Sequence, residues 1–264
     1  MTQAILGEFR KFFSTRAWFV LLGAMAAYVA FGAGLMAILM ITAANISDGA
    51  SLPLTAADTV YTVPASLAYV FPALIGTMAV TAEYRHQTLT PTFLAEPRRV
   101  IVLGAKMIAS LPMGLAYGIV GGVFAVGTGA AVLAIGGLDT GLSDPHTFRN
   151  TALGAITLML WTAIGVGFGA LVRNQVAAIV ILLGFNQLIE PVLRMIPMMT
   201  GHGAHLTQFL PGAAGEALSG GSGILGLDVS MQTLPPWAGA LTMLGYALVF
   251  ALIGYAVSFR RDVS

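Results

Sequence analysis

Cysteine is absent from the 264 residues, which excludes disulfides, thiolate-held zinc, iron–sulfur clusters and thiol catalysis. Charge is scarce: 9% of residues are Asp, Glu, Lys or Arg, against roughly 25% in soluble domains. A water-soluble fold of this size could not cover its surface with so few charges. A nucleotide-binding P-loop is also missing. Such a loop needs Gly before its Lys and Ser or Thr after it, but Lys11 follows Arg10 and Lys106 follows Ala105. If ATP drives this chain, another chain binds it. Lastly, no histidine falls in an apolar run: His86, His146, His202 and His205 all read as loop residues.

What remains is apolar. Hydrophobic residues make up 57% and mean hydropathy is +0.87, so the chain reads as an integral membrane protein. There is room for about six helices of roughly 20 residues each, and none for a large soluble domain. The expected fold is all-α and polytopic, one transmembrane domain over 1–264. Spans are predicted at 17–41, 63–81, 107–135, 151–172, 176–196 and 237–259. Pro72 is expected to kink the second. The ridge Gly114, Gly118, Gly122 and the pair Gly165, Gly169 are expected to let helices approach closely. The segment 197–236, rich in Gly and Pro, is expected to hold short helices folded back against the external membrane surface.

Residues 1–16 have a different pattern. Ile5, Phe9, Phe12 and Phe13 recur at helical spacing, with Glu8, Arg10 and Lys11 elsewhere, which describes an amphipathic helix lying in the membrane interface. The apolar run after Arg16 is too long for the core of a cleavable signal peptide, so this region is not expected to be one. Ten of the 12 basic residues fall at the N-terminus, the 2–3 loop, the 4–5 turn and the C-terminus, leaving Arg149 and Arg194 on the other side. Positive charge stays inside. Both termini are therefore expected in the cytoplasm, which requires an even number of spans.

Three groups of residues invite a chemical reading. Gly220-Gly221-Ser222-Gly223 matches the loop of an intramembrane serine protease, but no His lies on a neighbouring span to act as base, and a flexible loop explains the glycines. His202 and His205 could share a helical turn around a metal, but no third ligand stands at useful spacing, so solvated loop histidines are expected. Asn186, Glu190 and Arg194 repeat every four residues in span 5. At 1.5 Å per residue, Glu190 lies roughly 21 Å from the cytoplasmic end, where a carboxylate faces protein or water. This face reads as a substrate path or gate, or as a structural Glu190–Arg194 pair with Arg194 snorkelling to the outer headgroups.

The fourth group is the polar stretch 83–106, EYRHQTLTPTFLAEPRRVIVLGAK. It holds a third of the Lys and Arg. Pro97 should end a local helix, and Arg98, Arg99 and Lys106 should anchor span 3 at the headgroups. By itself this is equally a plain cytoplasmic loop. Its wording, however, resembles the 2–3 loop of ABC-2-type transporter permeases, especially actinobacterial ones: Glu83, Arg85, Thr88, Leu89, then Pro97 and Arg99, then Lys106. Family members often have Gly where this chain has Gln87.

The resemblance implies an exporter subunit in the bacterial plasma membrane. Two permease subunits, identical or homologous, would pair with two copies of a separate ATPase that holds ATP and Mg. No cofactor would be bound by this chain and no nucleic acid would be a partner. Residues 83–99 would form a coupling segment docking on the ATPase through Glu83, Arg85, Thr88, Leu89, Phe93, Leu94, Pro97, Arg99 and Lys106. The helix carrying Phe9, Phe12 and Phe13 would pack alongside in membrane lipid. The cargo would be a lipid, drug or other amphipathic molecule. Rival readings are an ion-coupled secondary transporter, which would place carboxylates near mid-membrane, and an intramembrane enzyme.

Overall fold

The computed structural model describes residues 1–46, 56–200, 203–220 and 234–259. All elements among them are helical. Five helices are long and apolar enough to cross a membrane. They are α2 (Ala17–Ile46), α7 (Arg99–Ile135), α8 (Pro145–Leu171), the run Gln175–Pro197, and Pro236–Val257. Their outer faces carry large exposed apolar side chains such as Phe31, Val123 and Leu252, a surface suited to lipid rather than water. The chain thus has the character of a multi-pass membrane protein.

The predicted second span is not one helix. It is a broken series, α3 (Ala56–Tyr61), α4 (Val63–Leu67) and α5 (Val70–Arg85), no piece of which reaches spanning length. Two prolines explain the breaks. A proline has no N–H and its ring crowds the carbonyl four residues back. Pro64 so disrupts the turn at Val60–Thr62, and Pro72 the turn at Ala68. The Ala68 carbonyl instead takes the N–H of Phe71 at 3.1 Å, a tighter turn. The effect expected of Pro72 therefore appears one turn upstream, where Pro72 sits in the first turn of a new helix.

Most other boundaries move outward, because local capping overrides the edges of apolar runs. Asp144 accepts from the His146 N–H, starting α8 six residues earlier than the predicted Thr151. Asn174 does the same for Ala177 at the start of α9 (Gln175–Gly184). Arg98 follows Pro97 and begins α7, which then runs through Lys106 instead of starting after it. At 37 residues, α7 is about 55 Å long, well beyond the roughly 30 Å hydrocarbon core.

In span 5, Phe185–Ile189 widen into a π turn between α9 and α10 (Glu190–Thr200). Pro191 cannot donate to Gln187, and the Glu190 N–H reaches back to the Phe185 carbonyl, five residues away.

The bundle is built on α8, which has 72% of its apolar window buried, against 22–33% for the other four long helices. It packs on α5, α7 and α13 (Pro236–Gly254). Glycine makes this possible at both expected ridges. A Cβ on Gly118 would lie 2.5 Å from Ala155 Cα, and one on Gly169 would lie 2.6 Å from the Thr77 carbonyl. No side chain fits there, so backbones meet directly.

The 5–6 connection contains short helices. Helix α12 (Pro211–Ser219), which follows the short α11 (Ala204–Thr207), packs into the bundle: Ala214, Gly215, Ala217 and Leu218 are buried against α8, α13 and α4. Asp48, His202, residues 221–223 of the Gly-Ser motif, Arg260 and Arg261 lie outside the described residues.

Candidate functional site

The amphipathic pattern of 1–16 gives helix α1 (Thr2–Ser14). Phe13 is exposed and Phe9 and Phe12 are half-buried, with Phe13 edge-on to Trp18 at 5.3 Å. The polar side of α1 faces the protein. It brings Glu8 and Lys11 against α5 and α7, where two further charges wait.

Those four charges form one cluster. Lys106, whose side chain is 0% exposed, lies 2.7 Å from Glu8 Oε2 and 2.8 Å from Glu83 Oε1, and also donates to the Ala79 carbonyl at 3.0 Å. All three ammonium protons thus have acceptors. Lys11 donates to Glu8 Oε1 at 2.8 Å, to Glu83 Oε1 at 2.7 Å and to Thr92 Oγ1 at 3.1 Å. Two lysines and two glutamates cancel, which is how a lysine can be buried here. For Lys11, burial pushes the pKa down, but hydrogen bonds and charge from Glu8 and Glu83 outweigh it and hold it above its ordinary value.

The cluster sorts the residues of 83–106. Glu83, Leu89 and Lys106 are buried; Lys106 is an internal tie and not the headgroup anchor the sequence suggested. Arg85, Thr88, Leu94 and Pro97 are exposed, Leu94 at 80%. Phe93 and Arg99 are intermediate, with the guanidinium 5.1 Å from the ring centroid. Helix α6 (Leu89–Ala95) therefore turns Leu89 inward and Leu94 outward. A cavity of about 700 Å³ opens between α6 and α1, lined by Gly7, Lys11, Thr88, Pro91, Thr92 and Glu96 among others. Gln87, just before α6, has φ +54°. That left-handed backbone suits glycine.

The second site lies in the C-terminal part of the helical run Gln175–Pro197. Arg194 donates to Glu190 Oε1 through Nη2 at 2.6 Å and Nε at 3.1 Å, and to Glu216 Oε2 through Nη1 at 2.7 Å. Glu190 also accepts the N–H groups of Gly212 and Ala213 at 3.0 and 2.9 Å. It thereby caps the N-terminus of α12, where a carboxylate is favoured. Arg194 does not snorkel; its side chain is 17% exposed and it ties span 5 to α12. Asn186 is buried, donating to the Leu182 carbonyl at 2.9 Å, while its Oδ1 has no partner. Beside it Tyr69 stacks on Trp161 with centroids 4.5 Å apart.

The structure brings Asn186, Glu190 and Arg194 to the inward side of span 5, and adds Glu216, which sequence reasoning missed. The signal was present: Pro211 opening and Gly220 closing a nine-residue stretch mark a helix, and Glu216 sits near its middle. Among the described residues no three His, Asp or Glu side chains group as a metal centre requires. No protein-family model matches this chain, and no curated protein matches it.

Proposed function

We propose that this chain is the membrane permease subunit of an ABC-2-type exporter. The broken helices over 56–85 serve as a sixth span, and both termini lie in the cytoplasm. ATP and Mg are held by two copies of a partner ATPase, and a second permease subunit completes the assembly. The supporting observation is the Glu8–Lys11–Glu83–Lys106 cluster. It joins the interfacial helix to the ends of α5 and α7, and Lys11 extends the tie to α6 through Thr92. A push on the exposed face of α6 would pass through buried ion pairs into two long helices as one rigid piece.

In this reading the segment has two kinds of residue. Thr88, Leu94 and Pro97 face the ATPase, while Glu83, Leu89 and Lys106 transmit. The Glu190–Arg194–Glu216 group holds α12 in place at the outer end of the path, which moves as the bundle rocks. An ion-coupled transporter would need Glu190 free to load an ion, whereas here it caps α12 and pairs with Arg194.

Affinity purification of the full chain from its native membrane tests this. An ATPase subunit should co-purify and hydrolyse ATP, and Leu94→Asp should release it while leaving the permease folded. ATP-independent transport by the isolated chain would sink the proposal. For the outer site, Glu190→Gln at equal expression should lower transport; a rate equal to wild type would remove Glu190 from the path.

A further inference from the structure

A cavity of about 610 Å³ lies on the other side of α1 from the α6 recess, against the C-terminal half of α5 and the N-terminal half of α7. It falls within the size range of small-molecule sites. Its walls are sorted by polarity. Phe12, Ile75, Met78, Ala79 and Met113 supply an apolar interior, and Arg16, Arg85 and His86 stand exposed at its edge.

Six charged side chains line it: Glu8, Lys11, Arg16, Glu83, Arg85 and Lys106. Four of these are paired with one another and cancel. What remains is Arg16 and Arg85, two positive charges above an apolar slot. Among the described residues, Arg85 reaches Gln175 Oε1 at 3.5 Å, a long contact.

We propose that this cavity binds one anionic phospholipid. Its phosphodiester sits between Arg16 and Arg85, and one acyl chain runs along Ile75, Met78 and Met113. The level is right for it: Arg16 immediately precedes the apolar helix α2, and Arg85 ends α5, so both guanidiniums stand where headgroups begin. A soluble phosphate would satisfy the arginines and leave the apolar slot empty. A zwitterionic lipid would fill the slot and leave the two charges unmatched. An anionic lipid satisfies both. The proposal does not depend on a partner ATPase, and it makes the junction of α1 with the bundle sensitive to the charge of the surrounding leaflet.

Native mass spectrometry of the full chain in detergent tests it, with phosphatidylglycerol, phosphatidylcholine and glycerol 3-phosphate added separately. One phosphatidylglycerol per chain should be retained at lipid concentrations at least about tenfold below those needed for phosphatidylcholine, and glycerol 3-phosphate should not be retained. A basic residue near a membrane surface contributes about fivefold to anionic-lipid binding. Arg16→Gln with Arg85→Gln should therefore weaken phosphatidylglycerol about thirtyfold, while Arg149→Gln, remote from the cavity, should not. Ala82→Leu, which fills the wall and keeps both arginines, should reduce retention of both lipids. Equal retention of the two lipids by the wild type, or phosphatidylglycerol binding unchanged in the folded double arginine variant, would overturn the proposal. So would retention of glycerol 3-phosphate.

Discussion

Replacing Lys106 with Met is the sharpest probe of the Glu8–Lys11–Glu83–Lys106 cluster. Methionine keeps the length and apolar volume of the lysine stem and deletes only the ammonium. In the wild type two lysines balance Glu8 and Glu83, and Lys106 is the fully buried member, with contacts at 2.7, 2.8 and 3.0 Å. In the variant Lys11 alone must serve both carboxylates, and its side chain is 46% exposed. Breaking a buried pair from one side costs about 3–5 kcal/mol, whereas an exposed pair is worth about 0–1 kcal/mol. For a chain of this size about 1 kcal/mol corresponds to roughly 2–4 °C in Tm, so Lys106→Met should lower Tm by at least about 6 °C. The assay is thermal unfolding of the full chain in detergent, followed by tryptophan fluorescence. Adding Glu83→Gln to Lys106→Met restores a balance of one positive and one negative charge and should recover part of the loss. The double-mutant cycle should give a coupling of about 0.5–3 kcal/mol. A Tm drop below about 2 °C for Lys106→Met, or strictly additive effects, would show that the cluster does not hold α1 to the bundle.

Further outcomes follow from other sites. Gln87→Gly should raise stability by up to about 1 kcal/mol, since φ +54° is cheap only for glycine, and Gln87→Val should lower it; melting curves of the two variants decide this. A side chain at Gly165 would strike the Ala73 carbonyl of α5, while Gly23 has open space around its Cβ direction. Gly165→Leu should therefore abolish a monodisperse elution profile that Gly23→Leu preserves. The Lys11 pKa is raised on folding from an ordinary value of 10.5. Its contribution is then complete below about pH 10.5 and fades as pH climbs through the folded value. Tm of the wild type should fall more steeply above that pH than Tm of Lys11→Met, and parallel slopes would contradict this.

The sequence alone settled what depends on composition and on neighbours within a few residues. Nine per cent charge and mean hydropathy of +0.87 require lipid around the helices. The Phe9, Phe12, Phe13 spacing gives α1, Pro97 ends α6 and frees α7 to begin, and the Gly114–Gly118 and Gly165–Gly169 spacings mark where backbones touch. Even the corrected features have local causes in hindsight. Pro64 and Pro72 segment 56–85, Pro191 forces the π turn, and Asp144 and Asn174 set helix starts.

Tertiary structure alone decided which charges meet. Glu8 and Lys106 are 98 positions apart and Lys11 and Glu83 are 72 apart. A helical repeat reports only partners three or four residues away, so the sequence assigned Lys106 to the headgroups and left Glu8 as one polar residue on an amphipathic helix. The same limit hid Glu216, 22 positions beyond Arg194, and made Arg194 look like a snorkelling residue. It also hid the packing of α12. A nine-residue segment is far too short to register as a span, and its burial depends on the space that α4, α8 and α13 leave between them.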